Sequence, residues 1–388
     1  MILRRALATV FLTTVVSTGA NAATFTWDAG GSNESWSTAA NWVGNVAPSA
    51  ATADVVIPFF RIDDSIVYQA DYSVNSVKSD MGLRIWLDSS LDVKSSSYSK
   101  DFGQYYNGIL SGTGDFTLTG TSTIHANDLS GNKVPLQTGT GRTINNGTLK
   151  VDQGLNLDGG RRLVNNDTLT LQGTVDLNGG KVGAAPGGGQ IDNFGRLVFG
   201  TSTISPVDIK VSNATESGLA TLVHNERTGT MEHLGAGKLT VAAPFVNDGT
   251  FHLGAQSMFA FNGSFAQGAG GVFDIDVYRN TDESKGNRTF ASATLGGTLR
   301  LEATSPTWNI LYAPKVGERF TLFTATSHQG TFAKLEGGVG FNGLSLTSSW
   351  SGTSFVVAVV PEPESYAMLL AGLGLMRTVA RRRKPRQT

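Results

Sequence analysis

The chain has 388 residues, no cysteine, 48 glycines and a formal charge of −1. The missing cysteines exclude disulfides, thiol nucleophiles and Cys-ligated zinc or iron–sulfur centres. Setting the two ends aside leaves residues 23–360 with an acidic excess of seven, which argues against a nucleic-acid partner because phosphate neutralisation needs clustered Lys and Arg.

Residues 1–22 read as an export signal. Arg4 and Arg5 give a basic start, Ala6 to Val16 an apolar core, and Ala20-Asn21-Ala22 the small-x-small pattern of a cleavage site. The apolar run is 11 residues, well short of the roughly 20 that a membrane span needs. A cleaved signal is therefore expected, with the mature chain starting at Ala23.

Residues 23–106 hold four of the six tryptophans: Trp27, Trp36, Trp42 and Trp86. Trp27-Asp28, Trp36-Ser37, Asn41-Trp42, the Gly44-Asn45 turn, Pro48 and the strand Val55 to Ile57 resemble the opening of autotransporter-type and related secreted β-helix proteins. The resemblance implies an N-terminal β cap that keeps the open first rung of a solenoid from pairing with other chains. The tryptophans are expected in the core of this cap rather than on a sugar-stacking surface.

Residues 107–305 show no sustained helical period. "TLTLQGTVDLNGG" alternates Leu169 and Leu171 with Thr168 and Thr170, then repeats the pattern with Val175 and Leu177 before Asn178-Gly179-Gly180. A short motif recurs as "INNGTLKV" at Ile144, "VNNDTLTL" at Val164, "IDNFGRLVF" at Ile191 and "FVNDGTFHL" at Phe245. Ile144 and Val164 are 20 residues apart, and Val164 and Ile191 are 27 apart, or 20 once "GAAPGGG" (Gly183 to Gly189) is read as a seven-residue insertion. A related "LVHNERTGTMEHL" has Val223 23 residues before Val246. Such periods suit one rung of a β-solenoid, with Asn and Gly at tight corners. The fold expected is all-β: an elongated β-solenoid-like core between an N-terminal β cap and a C-terminal β region. An antiparallel β-sandwich is the alternative, since short strands with frequent turns describe both.

Residues 306–360 form the C-terminal β region. Pro314 and Gly317 make a turn before the strand Arg319 to Phe323, Gly330-Thr331-Phe332 opens another, and "GTSFVVAVV" is the last strand. This region resembles the segment that closes such secreted passengers.

The sequence carries few signals of catalytic or metal chemistry. None of the five histidines lies in a His-Glu-x-x-His pattern. His224 and His233 flank "NERTGTME", where a hairpin would unite them with Glu232, but exposed strand histidines are the simpler reading. "GGGQIDNFG" has Gln190 where a calcium nonapeptide needs glycine, and Gly139-Thr140-Gly141-Arg142-Thr143 lacks the Lys of a phosphate loop. Asp152, Asp158 and Asp176, with Arg161 and Arg162 between them, are the carboxylates that glycoside chemistry would use. Solvated corner aspartates explain them more simply. No catalytic residue, metal or cofactor is expected.

Residues 361–388 carry the clearest signal. Pro361-Glu362-Pro363 is followed by Tyr366, Ala367, Met368, Leu369, Leu370, Leu373, Leu375 and Met376 in an 11-residue apolar run, and then by Arg381, Arg382, Arg383 and Lys384. The run spans about 16 Å as helix, against a bilayer core of roughly 30 Å. It reads as one short transmembrane helix, a weak anchor with its basic end in the cytoplasm, and the prolines keep the segment before it extended. This order of elements closely resembles the PEP-CTERM sorting signal, with Arg377 a departure from the usual apolar continuation. The resemblance implies processing by an exosortase-type membrane protease or transpeptidase in a Gram-negative bacterium. It also implies a transient inner-membrane tether, then the cell surface or extracellular matrix, with an association with exopolysaccharide and biofilm. A structural or adhesive protein is the function expected; a polysaccharide lyase or glycoside hydrolase on a β-helix scaffold is the alternative.

Overall fold

The computed structural model describes residues 22–59, 65–68, 70–86, 89–126, 134–177, 188–200, 207–210, 221–254, 256–277, 288–303, 313–338, 340–341, 344–361 and 363–382, and absences stated below refer to these. Arg4, Arg5, the apolar stretch to Val16 and Ala20 of the expected export signal lie outside them, as do Glu362, Arg383 and Lys384; Ala22 is the first residue described.

The chain winds as a three-faced parallel β-solenoid. One rung consists of Leu136–Gln137, Arg142–Asn145 and Thr148–Asp152; the next consists of Gly154–Leu157, Arg162–Asn165 and Thr168–Leu171. Each strand pairs in parallel with its counterpart one rung on: Leu136 with Asn156, Ile144 with Val164, Leu149 with Leu169. Among the described residues, the first two faces run together into one 23-stranded sheet, and the third is a separate 12-stranded sheet. At about 4.8 Å per strand, that third face is roughly 50 Å long. The antiparallel sandwich is thereby excluded.

Period-2 alternation builds the interior. On the third face Leu149, Leu169, Leu197, Met231, Phe251, Phe273 and Leu299 stack in register, and all are fully buried. Lys150, Thr170, Val198, Glu232 and His252 occupy the adjacent outward column. Parallel pairing continues without change past residue 106, from the strands Ser90–Val93 and Gly103–Tyr105 into those that follow.

The sequence spacing needs a one-residue revision. Val164 pairs with Asp192 rather than Ile191, and Val246 with His224 rather than Val223. What must coincide is the asparagine behind each corner: Asn145, Asn165, Asn193, Asn225 and Asn247 stand in one file.

Both ends of the stack are closed. At the front, Thr24–Thr26 pairs with Asp54–Val56, and Trp27, Trp36 and Trp42 are buried together with ring centroids 5.0–5.1 Å apart. Trp42 Nε1 donates to Trp36 O and Trp36 Nε1 to Pro48 O, so the polar tips are satisfied inside. At the far end, the strand Arg319–Gly330 pairs in parallel with Arg288–Leu295 through its second half. Its first half pairs antiparallel with Ser354–Pro361, which in turn pairs with Leu344–Ser351. This change of direction ends the parallel template, with Leu344–Ser351 as the last strand of the sheet.

Candidate functional site

The tail is built directly onto the last strand. Ser354–Pro361 lies between two neighbours, and Pro361 pairs opposite Leu344. A helix, Pro363–Arg382, starts two residues later. Pro363 is its first residue, where a fixed φ helps and the missing N–H is not needed. The expected extended segment is therefore no free linker: Pro361 still belongs to the sheet and Pro363 already belongs to the helix.

The helix has 20 residues, about 30 Å at 1.5 Å per residue. Met368, Leu369, Leu370, Leu375 and Met376 are each more than 60 % exposed, and Ala367 and Leu373 are also exposed. Arg377 interrupts the apolar run, and among the described residues no helix is long and apolar enough to cross a membrane. Tyr366, Arg381 and Arg382 lie within the helix.

The titratable groups of the body are mostly committed to one another. His233 is buried, its Nε2 facing Gly237 O at 2.7 Å, and so is not an exposed strand histidine. It sits on the third face while His224 sits on the second, so no hairpin unites them. His224 instead meets Asp248 through Nε2 at 2.8 Å and Glu226 through Nδ1 at 3.0 Å. Asp192, His224 and Glu226 are the only described group that brings three ligand-type atoms within 4.8 Å of one another, and Arg162 already binds Asp192 at 2.6 Å.

The three candidate aspartates do not share a groove. Asp152 faces outward on the third face beside His125 and Lys150. Asp158 is buried at a corner, where burial pushes its pKa up, and Asp176 ends a strand of the first face. Asp158 and Asp176 are both buried and so are not solvated corner aspartates. Arg161 is fully buried, its pKa lowered to about 10 by burial. It donates to Thr143 Oγ1 and Arg142 O, and Thr143 donates to Gln137.

A more concentrated set lies on the outward side of the third face and was not anticipated from the sequence. Glu232, His252, Asp274, Arg300 and Glu336 follow one another on successive rungs. Arg300 binds Glu336, and His252 faces Asp276 at 3.3 Å, which raises its pKa. Burial lifts Asp274 to about 6. Only the register shows this column, because its members are 20 to 36 residues apart.

The architecture thus places the protein among parallel β-solenoids with a helical C-terminal appendage. Residues 359–384 match the PEP-CTERM protein-sorting motif. The motif implies processing by an exosortase and an exported, surface-associated protein. No curated protein and no solved structure matches the chain at a significant level.

Proposed function

We propose that the protein is a non-enzymatic component of the cell surface or extracellular matrix, in which the solenoid is a rigid spacer that presents long polar faces to exopolysaccharide. The observation that carries this reading is the union of a sorting motif with a capped parallel stack whose titratable groups are largely paired. The basic end of the tail stays in the cytoplasm, the body is held outside the inner membrane, and removal of the tail releases it. Intact-mass analysis of protein from the medium and the cell envelope tests this. Chains ending near Pro361 to Ser365 support it; surface protein that retains Arg377 to Thr388 overturns it.

A hydrolase or lyase is the second reading. Asp274, raised to about 6 by burial, stands two residues before Asp276 on the same outward face, and carboxyls held in contrasting environments are what acid–base cleavage of a glycoside requires. Release of reducing ends from the native exopolysaccharide, abolished by Asp274→Asn, is the result that favours it.

A further inference from the structure

Trp27, Trp36 and Trp42 serve the core, but Trp86 faces outward. Trp86 ends the strand Leu83–Trp86, whose alternation buries Leu83 and Ile85 and turns Arg84 and Trp86 outward. One rung on, Tyr105 is half-buried on the same face, its ring centroid 4.7 Å from that of Trp86. Tyr106 approaches from the side, 5.1 Å from Trp86 at an interplanar angle of 69°.

Two features of the backbone shape this group. The Tyr105 ring folds back over Gly103: a Cβ there would lie 2.5 Å from Tyr105 Cε2. Only glycine lets the ring lie down against the sheet. Tyr106 has φ +55, a left-handed conformation that a bulky residue seldom adopts. The backbone is held there by hydrogen bonds from Tyr106 N to His125 O and from Gly108 N to Tyr105 O. The same corner is left-handed again at Gln153 and Gly173, so the turn belongs to the solenoid and at this rung carries a bulky aromatic.

The polar border is equally placed. His125 follows Tyr105 in register and Asp152 follows His125. His125 Nδ1 faces Asp152 Oδ2 at 3.1 Å, with Lys150 Nζ 3.6 Å from the same oxygen.

We propose that Trp86, Tyr105 and Tyr106 form a carbohydrate-stacking site for the pyranose rings of a neutral polysaccharide, with His125, Asp152 and Lys150 at its hydroxyl-binding border. A pyranose has an apolar face of C–H groups and a rim of hydroxyls, which is the chemistry offered here. A nucleic acid would need cations that the acidic body does not supply. The rung spacing of about 4.8 Å lets a chain lying along the solenoid axis meet successive rungs.

This deepens the matrix reading and rests on it for the ligand's biological source, but the two are tested separately. The purified mature protein is titrated with cellohexaose, laminarihexaose and chitohexaose while tryptophan fluorescence is recorded. At least one is expected to shift the emission. Trp86→Ala removes the stacking ring and is expected to lower affinity roughly tenfold or more. Tyr106→Gly keeps the variant falsifiable if Trp86→Ala does not fold. Glycine accepts φ +55, so its Tm is expected to stay level or rise while affinity falls roughly tenfold. Tyr105→Phe retains the ring and is expected to bind within about threefold of the parent. No fluorescence response to any of the three sugars overturns the site, as does unchanged affinity in Trp86→Ala and Tyr106→Gly, or a self-association that Trp86→Ala abolishes in place of sugar binding. In parallel, sedimentation with native exopolysaccharide separates the two readings. Equal retention of parent and Trp86→Ala keeps the matrix reading and removes this site; retention of neither removes the matrix reading.

Discussion

Asn165 Nδ2 donates to Asn193 Oδ1 at 2.7 Å across one rung of the solenoid. The same bond repeats from Asn145 to Asn165, from Asn193 to Asn225, from Asn225 to Asn247, and from Asn247 to Gln267. Each asparagine amide in the file also donates to a backbone carbonyl of the next rung. All six side chains are buried. The file therefore satisfies corner carbonyls that would otherwise be lost inside, and it fixes the register of six rungs at one point.

Replacing Asn193 by Leu should cost about 2–4 kcal/mol, because it strands the Asn165 amide, the Asn225 carbonyl and buried backbone acceptors together. Gln267→Met should cost about 1 kcal/mol or less, since Gln267 Nε2 is already buried without a partner at the end of the file. Urea denaturation of both variants checks the contrast; equal losses contradict a cooperative file.

Gly249 sits at a corner where an added Cβ would lie 2.2 Å from Gly229 O and 2.3 Å from Glu226 O. Backbone cannot yield as a side-chain tip can. Gly249→Ala should therefore lower stability by more than about 2 kcal/mol through forced separation of the rungs. Gly317→Ala is a useful comparison, because its Cβ meets nothing within 4 Å and only its φ of +95 is strained. Its loss should be smaller, about 1 kcal/mol. Thermal melts of the two proteins give the comparison.

The third face should make the protein more stable in mild acid than at neutral pH. His252 has its pKa raised, first by its hydrogen bond to Asp276, so its contribution is complete below the unfolded value of 6.5 and disappears as pH rises through the folded value. Burial raises Asp274 from 3.8 to about 6, so the folded state holds a proton that the unfolded state has released across that window. Stability therefore falls as pH climbs from about 4 to 7. Below that window the sign reverses: Asp115 is depressed chiefly by its hydrogen bond with Arg142, and that stability is lost as pH falls through its folded pKa. Tm measured from pH 3 to 8 should peak between these limits. Asp274→Asn should raise stability at pH 7.5 by about 1–3 kcal/mol and flatten the acid-to-neutral slope.

Arg377 limits the tail as an anchor. Arg377→Leu joins the apolar run ending at Met376 to Val379 and Ala380, which lengthens the hydrophobic stretch toward a bilayer-spanning helix. Cell fractionation should then find more protein in the inner membrane and less in the medium. An unchanged distribution would mean that helix length does not control release.

Much of the fold is legible in the sequence because its signals are local. Alternation along "TLTL" decides which side chains enter the core, and the spacing of Asn-Asn-Gly and Asn-Asp-Gly steps reports the rung. A repeat anchored on the apolar Ile191 is one residue out of register, and Asn193 is the position that aligns it. An apolar residue and its neighbour look alike in sequence, whereas only the amide at position 193 can bridge two rungs. The tail was more legible still, since proline pair, apolar run and arginines are consecutive. Its junction was not: nothing in Val359-Val360-Pro361 says that the strand has a neighbour on each side.

The column Glu232, His252, Asp274, Arg300 and Glu336, and the group Trp86, Tyr105 and Tyr106, belong to the other kind of information. Register brings Glu232, His252 and Asp274 together from separate repeats, and the positive φ of Tyr106 depends on carbonyl and amide partners supplied by neighbouring backbone. By itself the sequence determined that this chain would form short strands with polar outer faces and carry a sorting motif, because alternation, turn residues and consecutive motifs act over a few residues. Only the tertiary structure decided that the strands stack in parallel and which outward side chains share a surface, because rungs stack through backbone hydrogen bonds that set neighbours 18 or more positions apart side by side.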